Sequence, residues 1–357
     1  MKNLEFPLIG TKVKGLNSKF DLSSPAGRKK YFVAKVGDEI KEIKRYLEDS
    51  TFIAYLLGKK NSGKGTYTKI FTEIFGSEKI AHVSVGDLIR EADNWDSFKK
   101  TKYYDRLERY YRGYTSFDKA VDAHLSRSVE KLLPTEFILA LLKAHIDDLQ
   151  GKVIFLDGLP RDMDQVSYSL YFRDLAGFRD DPDMFIMIDI PESVIDERIK
   201  TRVICPICKI PRTKKLLITS KIEYDQKNKE FYLICDNPEC SGFGKQRLVR
   251  KEGDDLGIEP IRNRLLKDEE IIKTVFQLHG IPKVFLRNHV PVAEANKYYD
   301  NYELTPEYGF KWDVKEKKVI VLEKPFTVKD DNGVPSYSLL APAVVIQMVK
   351  QLAEVLY

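Results

Sequence analysis

The sequence predicts an α/β fold of three layers, in which a parallel central sheet lies between helices. Short apolar runs, each the length of one buried strand, lead to this prediction; they occur at 52–57, 80–85, 153–156 and 184–190. Segments with the helical spacing of apolar residues follow two of them, at 67–75 and 191–202. Apolar strands that alternate with helices are typical of a parallel sheet that is covered on both faces.

The first predicted strand leads into a glycine-punctuated loop that ends in Gly63-Lys64-Gly65-Thr66. A loop of this kind before a helix binds phosphates, because its N–H groups point inward and the helix N-terminus adds the positive end of its dipole. The lysine supplies a mobile cation. We therefore predict a triphosphate site at Gly58, Asn61, Ser62, Gly63, Lys64, Gly65 and Thr66. The alternative is a glycine-rich turn that binds no ligand.

A second motif, Asp157-Gly158-Leu159-Pro160-Arg161, follows the apolar run at 153–156. A carboxylate at the end of a buried strand, beside a phosphate loop, is suited to hold magnesium or its waters. Gly158 allows a ligand close to the backbone, and the guanidinium of Arg161 matches phosphate oxygens. Taken alone, the stretch could equally be a strand end followed by a turn.

All four cysteines lie in one short part of the chain, as the pairs Cys205/Cys208 and Cys235/Cys240. In a reducing compartment such clustering favours a metal over disulfides. Four thiolates in two pairs fit a closed tetrahedral zinc site, which would fix a small domain with little core of its own. The alternative is a zinc ribbon that binds nucleic acid.

The composition is that of an ordinary globular chain, with 32% charged and 43% hydrophobic residues and a net charge of +5. This charge is mild for 357 residues, so it suits the phosphates of a small ligand as well as nucleic acid. The first 14 residues lack the apolar core of a signal peptide. The longest apolar stretches are too short to span a bilayer. We expect a cytoplasmic protein without a membrane partner.

A tyrosine-rich stretch at 103–114 lies among lysines and arginines. It could be a nucleic-acid surface of stacking rings and cations. The other interpretation is a helix pair whose tyrosines pack at their rims while the charged groups stay in water. We favour helix packing because Asp105, Glu108 and Asp118 are interleaved with the basic residues.

Four motifs in this order closely resemble those of the adenylate kinases, within the nucleoside monophosphate kinases. They are the loop at 58–66, Ser-Val-Gly-Asp-Leu-Ile-Arg at 84–90, the stretch at 156–161 with Gln165, and Asp254-Asp255 followed by Arg262 and Arg264. The resemblance covers residues 51 to about 270. It implies reversible, magnesium-dependent, in-line phosphoryl transfer from ATP to AMP, which gives two ADP, with closure of a lid. The alternatives are a kinase for GMP, UMP or CMP, and a non-catalytic nucleotide-binding protein with a nucleic-acid-binding ribbon.

The resemblance also implies roles for individual residues. Phosphoryl transfer would depend on one lysine and six arginines: Lys64, Arg161, Arg198, Arg202, Arg250, Arg262 and Arg264. Arg198 would also contact ATP, and Asp87 and Asp157 would hold magnesium. The monophosphate would bind at Val85, Gly86, Arg90, Leu133, Gly158, Arg161 and Gln165, with Gln165 at the adenine edge. Some adenylate kinases carry zinc at the position of the four cysteines, which favours structural zinc over a nucleic-acid ribbon.

By the same resemblance, a helical monophosphate-binding insertion occupies 85–150 and a zinc lid occupies 198–264. The phosphate-loop core is expected at 51–84, 151–197 and 265–357, with 1–50 as an N-terminal extension packed on it. ATP and AMP are the expected partners of a monomer that does not bind nucleic acid. Two departures stand out: Lys60-Asn61 replaces the family's usual Pro-Gly, and Val85 replaces a threonine near the adenine.

Four further elements are predicted from local patterns. A hairpin is expected from 214–222 and 231–234, a long helix at 260–278 and a terminal helix at 341–356. The apolar run at 318–323 is expected to be the last strand of the central sheet.

Overall fold

The computed structural model describes residues 1–2, 4–126, 133–163, 165–166 and 182–357. These residues form two compact units. We call one the sheet unit (Ser23–Ile188, Leu266–Leu286 and Val345–Tyr357) and the other the cysteine unit (Met1–Leu22, Asp189–Leu265 and Arg287–Val344). The predicted domains at 85–150 and 151–197 each include residues outside the described ranges, and the predicted domain boundaries stay a prediction.

The helices and strands are numbered along the chain through both units. The helices are α1 (Pro25–Asp49), α2 (Lys64–Phe75), α3 (Val85–Asp93), α4 (Trp95–Phe98), α5 (Lys102–Tyr110), α6 (Phe117–Leu125), α7 (Thr135–Ile146), α8 (Glu192–Lys200), α9 (Arg262–Gln277), α10 (Val292–Tyr298) and α11 (Ala341–Leu356). The strands are β1 (Ile53–Gly58), β2 (Ile80–Ser84), β3 (Val153–Asp157), β4 (Asp183–Asp189), β5 (Arg202–Ile204), β6 (Pro211–Thr213), β7 (Ile222–Asp225), β8 (Glu230–Leu233), β9 (Val249–Arg250), β10 (Lys283–Arg287), β11 (His289–Pro291), β12 (Pro306–Asp313), β13 (Lys318–Pro325), β14 (Thr327–Lys329) and β15 (Pro335–Ser338). No helix among the described residues combines the length and the apolar character needed to cross a bilayer.

The central sheet has five strands in the order β10-β4-β1-β3-β2, and β1 pairs in parallel with both β3 and β4. Its middle strands are buried along nearly their whole length, as their uninterrupted apolar sequences require. The order places the carboxyl ends of β1, β2 and β3 side by side, with Leu56 and Ser84 both in register with Asp157. The predicted α/β class with a parallel central sheet is confirmed.

The predicted place of the run at 318–323 was wrong. This run lies in β13, which forms an antiparallel hairpin with β12 in the cysteine unit. The fifth strand of the central sheet is β10 instead. Val284 and Leu286 of β10 are fully buried, and these alternate residues form the face of the strand that packs in the core.

Helix α1 explains most of the lysine-rich N-terminal segment. It begins at Pro25 after Ser24, whose hydroxyl caps the helix by accepting from the N–H of Gly27. Its buried face includes Val36, Ile40, Ile43 and Leu47, which recur at the spacing of one helix face. Arg28 of α1 pairs with Glu73 of α2, so the helix packs on the element that follows the phosphate loop.

The tyrosine-rich stretch is accounted for by helix packing between α5 and α7. Tyr103 stacks on His145 with ring centroids 4.0 Å apart. The hydroxyl of Tyr110 donates to Asp147 at 2.5 Å. Arg106 forms an ion pair with Asp148 at 2.9 Å. Tyr103 and Tyr110 therefore serve the interface between helices, in agreement with the packing interpretation, whereas Tyr114 is exposed.

The cysteine unit is built from small sheets. Strand β5 pairs with β6 and β9, β7 with β8, β12 with β13, and β15 with β11 and β14. The predicted hairpin is confirmed only in its second strand, because its first strand is β7 and not 214–222. Thr213 turns the chain there by accepting from the N–H groups of Leu216 and Leu217.

The β12–β13 hairpin packs on the β7–β8 hairpin through aromatic rings. Trp312 stacks on Tyr224 with ring centroids 5.0 Å apart, and Phe310 lies 5.6 Å from Phe231. Phe310 also packs against the apolar cluster that contains three of the cysteines. The hairpin thus adds core to a region of short strands.

Candidate active site

The phosphate loop joins β1 to α2 in a conformation that needs its particular residues. Asn61 has φ +66° and Gly63 φ +102°, both in the left-handed region that asparagine and glycine tolerate. A side chain at Gly58 would place its Cβ 2.6 Å from the hydroxyl of Ser62. The loop can therefore adopt this tight turn before α2 only with such residues at positions 58, 61 and 63.

Lys64 reaches back across this loop. Its ammonium donates to the carbonyl of Gly58 at 2.8 Å and to that of Lys59 at 3.4 Å. The same nitrogen lies 3.7 Å from a carboxylate oxygen of Asp157. The predicted lysine and one predicted magnesium ligand are therefore adjacent, at the carboxyl ends of β1 and β3.

The second predicted magnesium ligand, Asp87, lies in the first turn of α3. The hydroxyl of Ser84 caps this helix by accepting from the N–H of Asp87. Burial opposes ionisation of Asp87, but hydrogen bonds from Arg90 and Ser84 outweigh it, so the pKa of this carboxyl lies below its ordinary value. Both aspartates follow strand ends of one sheet edge, and such oxygen ligands suit magnesium.

Two predicted monophosphate-binding arginines converge beside two glycines. A Cβ on Gly158 would lie 2.6 Å from Nη2 of Arg161. A Cβ on Gly86 would lie 3.1 Å from the same nitrogen and 3.5 Å from Nη1 of Arg90. The absence of both side chains leaves room for the two guanidinium groups, which together form a cationic site next to the phosphate loop's sheet edge.

Gln165 is buried and engaged at both ends of its amide. Its Oε1 accepts from the N–H of Arg161 at 2.8 Å, and its Nε2 donates to Thr135 at 3.3 Å. It thereby orients the segment that carries Arg161. Val85 and Leu133, the apolar residues predicted for the same pocket, are buried too. The predicted contact of Gln165 with adenine stays a prediction.

The remaining predicted arginines, Arg198, Arg202, Arg250, Arg262 and Arg264, belong to the cysteine unit. Asp254 accepts two hydrogen bonds from Arg202, at 2.6 and 2.5 Å, and this pair raises the pKa of the guanidinium. Glu259 accepts two from Arg262. Arg202 and Arg262 are therefore held by acidic neighbours within this unit.

The four cysteine sulfurs lie within 4.8 Å of one another. Cys205 and Cys240 are 3.9 Å apart, and Cys208 and Cys235 are 3.8 Å apart. Sulfurs at the corners of a tetrahedron around zinc, each at about 2.3 Å from the metal, are separated by about 3.8 Å. The cluster thus fits zinc and not disulfides, which need a sulfur separation of about 2.05 Å.

Local hydrogen bonding prepares one of these thiols for metal binding. The pKa of Cys208 falls to about 7, chiefly because the backbone N–H of Ile210 bonds to the sulfur. The thiolate is the form that binds zinc. The proximity of all four sulfurs is what matches the cluster to a closed, structural zinc site.

Two acidic residues of α9, Asp268 and Glu269, contact the phosphate loop, and neither contact was predicted from the sequence. Lys59 is buried and pairs with Glu269 of α9 at 3.1 Å. Asp268, which precedes Glu269 in α9, accepts a hydrogen bond from the backbone N–H of Lys60 at 2.9 Å. The sequence carries no local signal for these contacts, since Lys60 and Asp268 are separated by 208 residues.

Comparison with known proteins supplies relatives. No family model matches the chain. It is 26% identical to the adenylate kinase of Thermotoga neapolitana over 238 residues, which cover 60% of this chain and 96% of that protein. It is 30% identical to the adenylate kinase of Kosmotoga olearia over 156 residues, 43% of this chain and 60% of that protein. The mitochondrial GTP:AMP phosphotransferase of Drosophila melanogaster is 26% identical over 151 residues, 42% of this chain and 56% of that protein.

With a phosphate loop on a parallel sheet and relatives of these two kinds, the chain is a nucleoside monophosphate kinase. Within that class it is similar to the adenylate kinases, and it has a four-cysteine cluster suited to zinc.

Proposed function

We propose that this enzyme transfers the γ-phosphoryl group of ATP to AMP, reversibly, with ADP as the only product. The observation that carries the proposal is the pairing of two anion-binding groups at neighbouring strand ends. Lys64 and the loop N–H groups follow β1, while Arg161 follows β3 and lies near Arg90 beside Gly86. A donor triphosphate and an acceptor monophosphate each need one such group.

Phosphoryl transfer requires that the protein align the two nucleotides and stabilise the developing charge, and it needs no covalent intermediate. Lys64 would exchange its bonds to loop carbonyls for bonds to phosphate oxygens. Arg90 and Arg161 would hold the acceptor phosphate in line. Asp87 and Asp157 would hold magnesium, which when bound neutralises charge on the phosphate oxygens.

The cysteine unit would supply further charge when a lid closes and excludes water. In this proposal Arg198, Arg202, Arg250, Arg262 and Arg264 act on the phosphates from the lid. Residues 198–264 would form that lid, with one structural zinc ion held by Cys205, Cys208, Cys235 and Cys240. Residues 85–150 would bind the monophosphate. We propose a cytoplasmic monomer, because ATP and AMP account for the cationic groups without a further partner.

The identity of the acceptor base is a second question. Gln165 favours AMP because an amide matches the adenine edge by hydrogen bonding. Val85 leaves GMP, UMP and CMP open, since an apolar side chain replaces a threonine hydroxyl there. One relative is named a GTP:AMP phosphotransferase, so GTP is an alternative donor.

A coupled assay tests both points. Formation of both nucleoside diphosphates is measured with magnesium and each pair of ATP or GTP with AMP, GMP, UMP or CMP. The proposal expects the highest kcat/KM with ATP and AMP. Higher kcat/KM with another monophosphate would reassign the acceptor, and no transfer with any pair would refute phosphoryl transfer.

A further inference from the structure

The phosphate loop departs from the family pattern at the point where helix α9 touches it. Lys60 stands where the family usually has proline. Proline has no N–H, but Lys60 has one, and it donates to the carboxylate of Asp268 at 2.9 Å. Asp268 is itself buried, with 8% of its surface exposed. Lys60 therefore supplies a hydrogen-bond donor that proline would lack, and Asp268 of α9 supplies its acceptor.

The neighbouring pair repeats this arrangement with side chains. Lys59 is 1% exposed, and its ammonium lies 3.1 Å from Glu269. A buried ammonium is costly unless it is paired. Glu269 also pairs with Lys273 at 2.7 Å, which fixes the carboxylate from its other side. The positive charge of Lys59 is thus balanced inside the protein.

Both anchors act on the residues that would contact phosphate. The backbone of Lys59 accepts from the N–H of Ser62 at 3.0 Å, which closes the loop's turn. The same carbonyl lies 3.4 Å from the ammonium of Lys64. A displacement of Lys59 or Lys60 would therefore move the turn and the catalytic lysine together.

We propose that Asp268 and Glu269 are positioning residues of the phosphate loop, which hold Lys59 and Lys60 so that Lys64 and the loop N–H groups are preorganised for a triphosphate. The inference rests on the proposed function, since it assumes that the loop binds ATP. It predicts effects on the ATP side of the reaction and little effect on AMP. A loosely held loop must be ordered at the moment of binding, which weakens affinity.

The backbone anchor is tested with two double variants, one that lacks the N–H of residue 60 and one that keeps it. Asp268→Ala leaves that N–H without its acceptor and is expected to weaken ATP binding about tenfold. Adding Lys60→Pro removes the donor and should restore most of the affinity. Adding Lys60→Ala instead keeps the donor and should restore none. The dissociation constant of ATP with magnesium is measured by calorimetry without AMP, and the thermal midpoint of each variant is recorded.

The side-chain anchor has its own rescue. Glu269→Gln removes the negative charge that lies 3.1 Å from the buried ammonium of Lys59. Lys59→Met should compensate because it removes the positive charge of that pair. Glu270→Gln, an exposed neighbour on the same helix, is the matched control and should leave the ATP dissociation constant unchanged. In steady state, the anchor variants should raise KM for ATP with KM for AMP within about twofold.

The possible outcomes distinguish a failure of the anchor proposal from a failure of the proposed phosphoryl transfer. The inference is overturned if the Lys60→Pro and Lys60→Ala double variants bind ATP equally, or if KM for AMP rises as much as KM for ATP. If Asp268→Ala alone does not fold, the comparison of the two double variants still decides. A wild-type protein that binds ATP but transfers no phosphoryl group would refute the proposed function, while the binding comparison would still test the anchors.

Discussion

The ammonium of Lys64 lies 3.7 Å from Asp157, so this lysine of the phosphate loop is adjacent to a residue predicted to bind magnesium. The pair is partly exposed, with 15% and 23% of the side chains accessible. Such a contact is readily exchanged for one with a ligand. It places a mobile cation and a metal-binding oxygen at one point of the sheet edge.

We expect Lys64→Ala to lower kcat/KM for ADP formation by about 10³-fold or more, since it removes a cation that stabilises the transferring phosphoryl group. The fold should persist, because this side chain contacts loop carbonyls and one carboxylate and is partly exposed. Lys69→Ala, an exposed lysine of the same helix, is the control. Turnover close to that of wild type in the Lys64 variant would rule out the assignment.

We expect Arg161→Ala to impair the acceptor side. The guanidinium lies beside Gly86 and Gly158, where the monophosphate is proposed to bind. KM for AMP should rise by about 10²-fold, with a smaller change in KM for ATP. Initial rates at varied AMP check this, with the exposed Arg109→Ala as control. An effect confined to KM for ATP would place Arg161 on the donor instead.

We expect about one zinc ion per chain, because the sulfur separations match one tetrahedral site. Metal analysis of protein purified without chelator measures it. Cys235→Ser should lose the metal and lower the thermal midpoint, since a structural zinc site contributes to folding. Protein that is free of zinc and equally stable would contradict the four-thiolate site.

We expect Trp312→Ala to cost about 2 kcal/mol of unfolding free energy, because it removes the stacking on Tyr224 and part of the interface between two hairpins. Denaturant unfolding of the zinc-loaded protein measures this. Lys311→Ala, exposed on the same strand, should change stability by less than about 0.5 kcal/mol. Equal effects of both substitutions would show that the hairpin does not support the β7–β8 hairpin.

We expect acid to destabilise the cysteine unit through Asp189. Burial would raise the pKa of this carboxyl, but a hydrogen bond with His289 and the charges of the Met1 ammonium and His289 lower it to about 2. Because the folded pKa lies below the unfolded one, the stabilisation is present above about pH 4 and is lost as the pH falls toward 2. The loss should be about 2 kcal/mol.

Urea unfolding at several pH values between 5 and 2.5 measures this effect. Asp189→Asn should have a lower free energy of unfolding at pH 5 and a shallower dependence on pH over this range. A pH dependence identical to that of wild type would show that Asp189 does not contribute to it.

The local signals in the sequence predicted most of the sheet and the phosphate loop. Strands β1 to β4 are apolar runs, and a run of that kind has few other stable places than a buried sheet. The run at 318–323 has the same character, yet it pairs with β12. Strand propensity does not specify the partner. In the structure β13 pairs with β12, whose rings Phe310 and Trp312 pack against β8 and β7.

The anchors of the phosphate loop were beyond local prediction for a related reason. Asp268 and Lys60 are separated by 208 residues. Each is unremarkable in its own segment, as a helix acid or a loop lysine. Only their contact gives them a common role. Motifs that bind a ligand repeat across a family, whereas compensating pairs such as this one become visible only when the chain is folded.

The division of the chain into two units has a consequence for how the protein is made. Each unit is assembled from three separate pieces, so the polypeptide crosses from one to the other five times. The last piece, Val345–Tyr357, includes Gln351, whose amide bonds both the N–H and the carbonyl of Phe285 in β10. The edge strand β10 therefore gains these hydrogen bonds only after residue 351 has been synthesised. During synthesis on the ribosome, neither unit can reach its final structure until nearly the whole of this sequence has emerged.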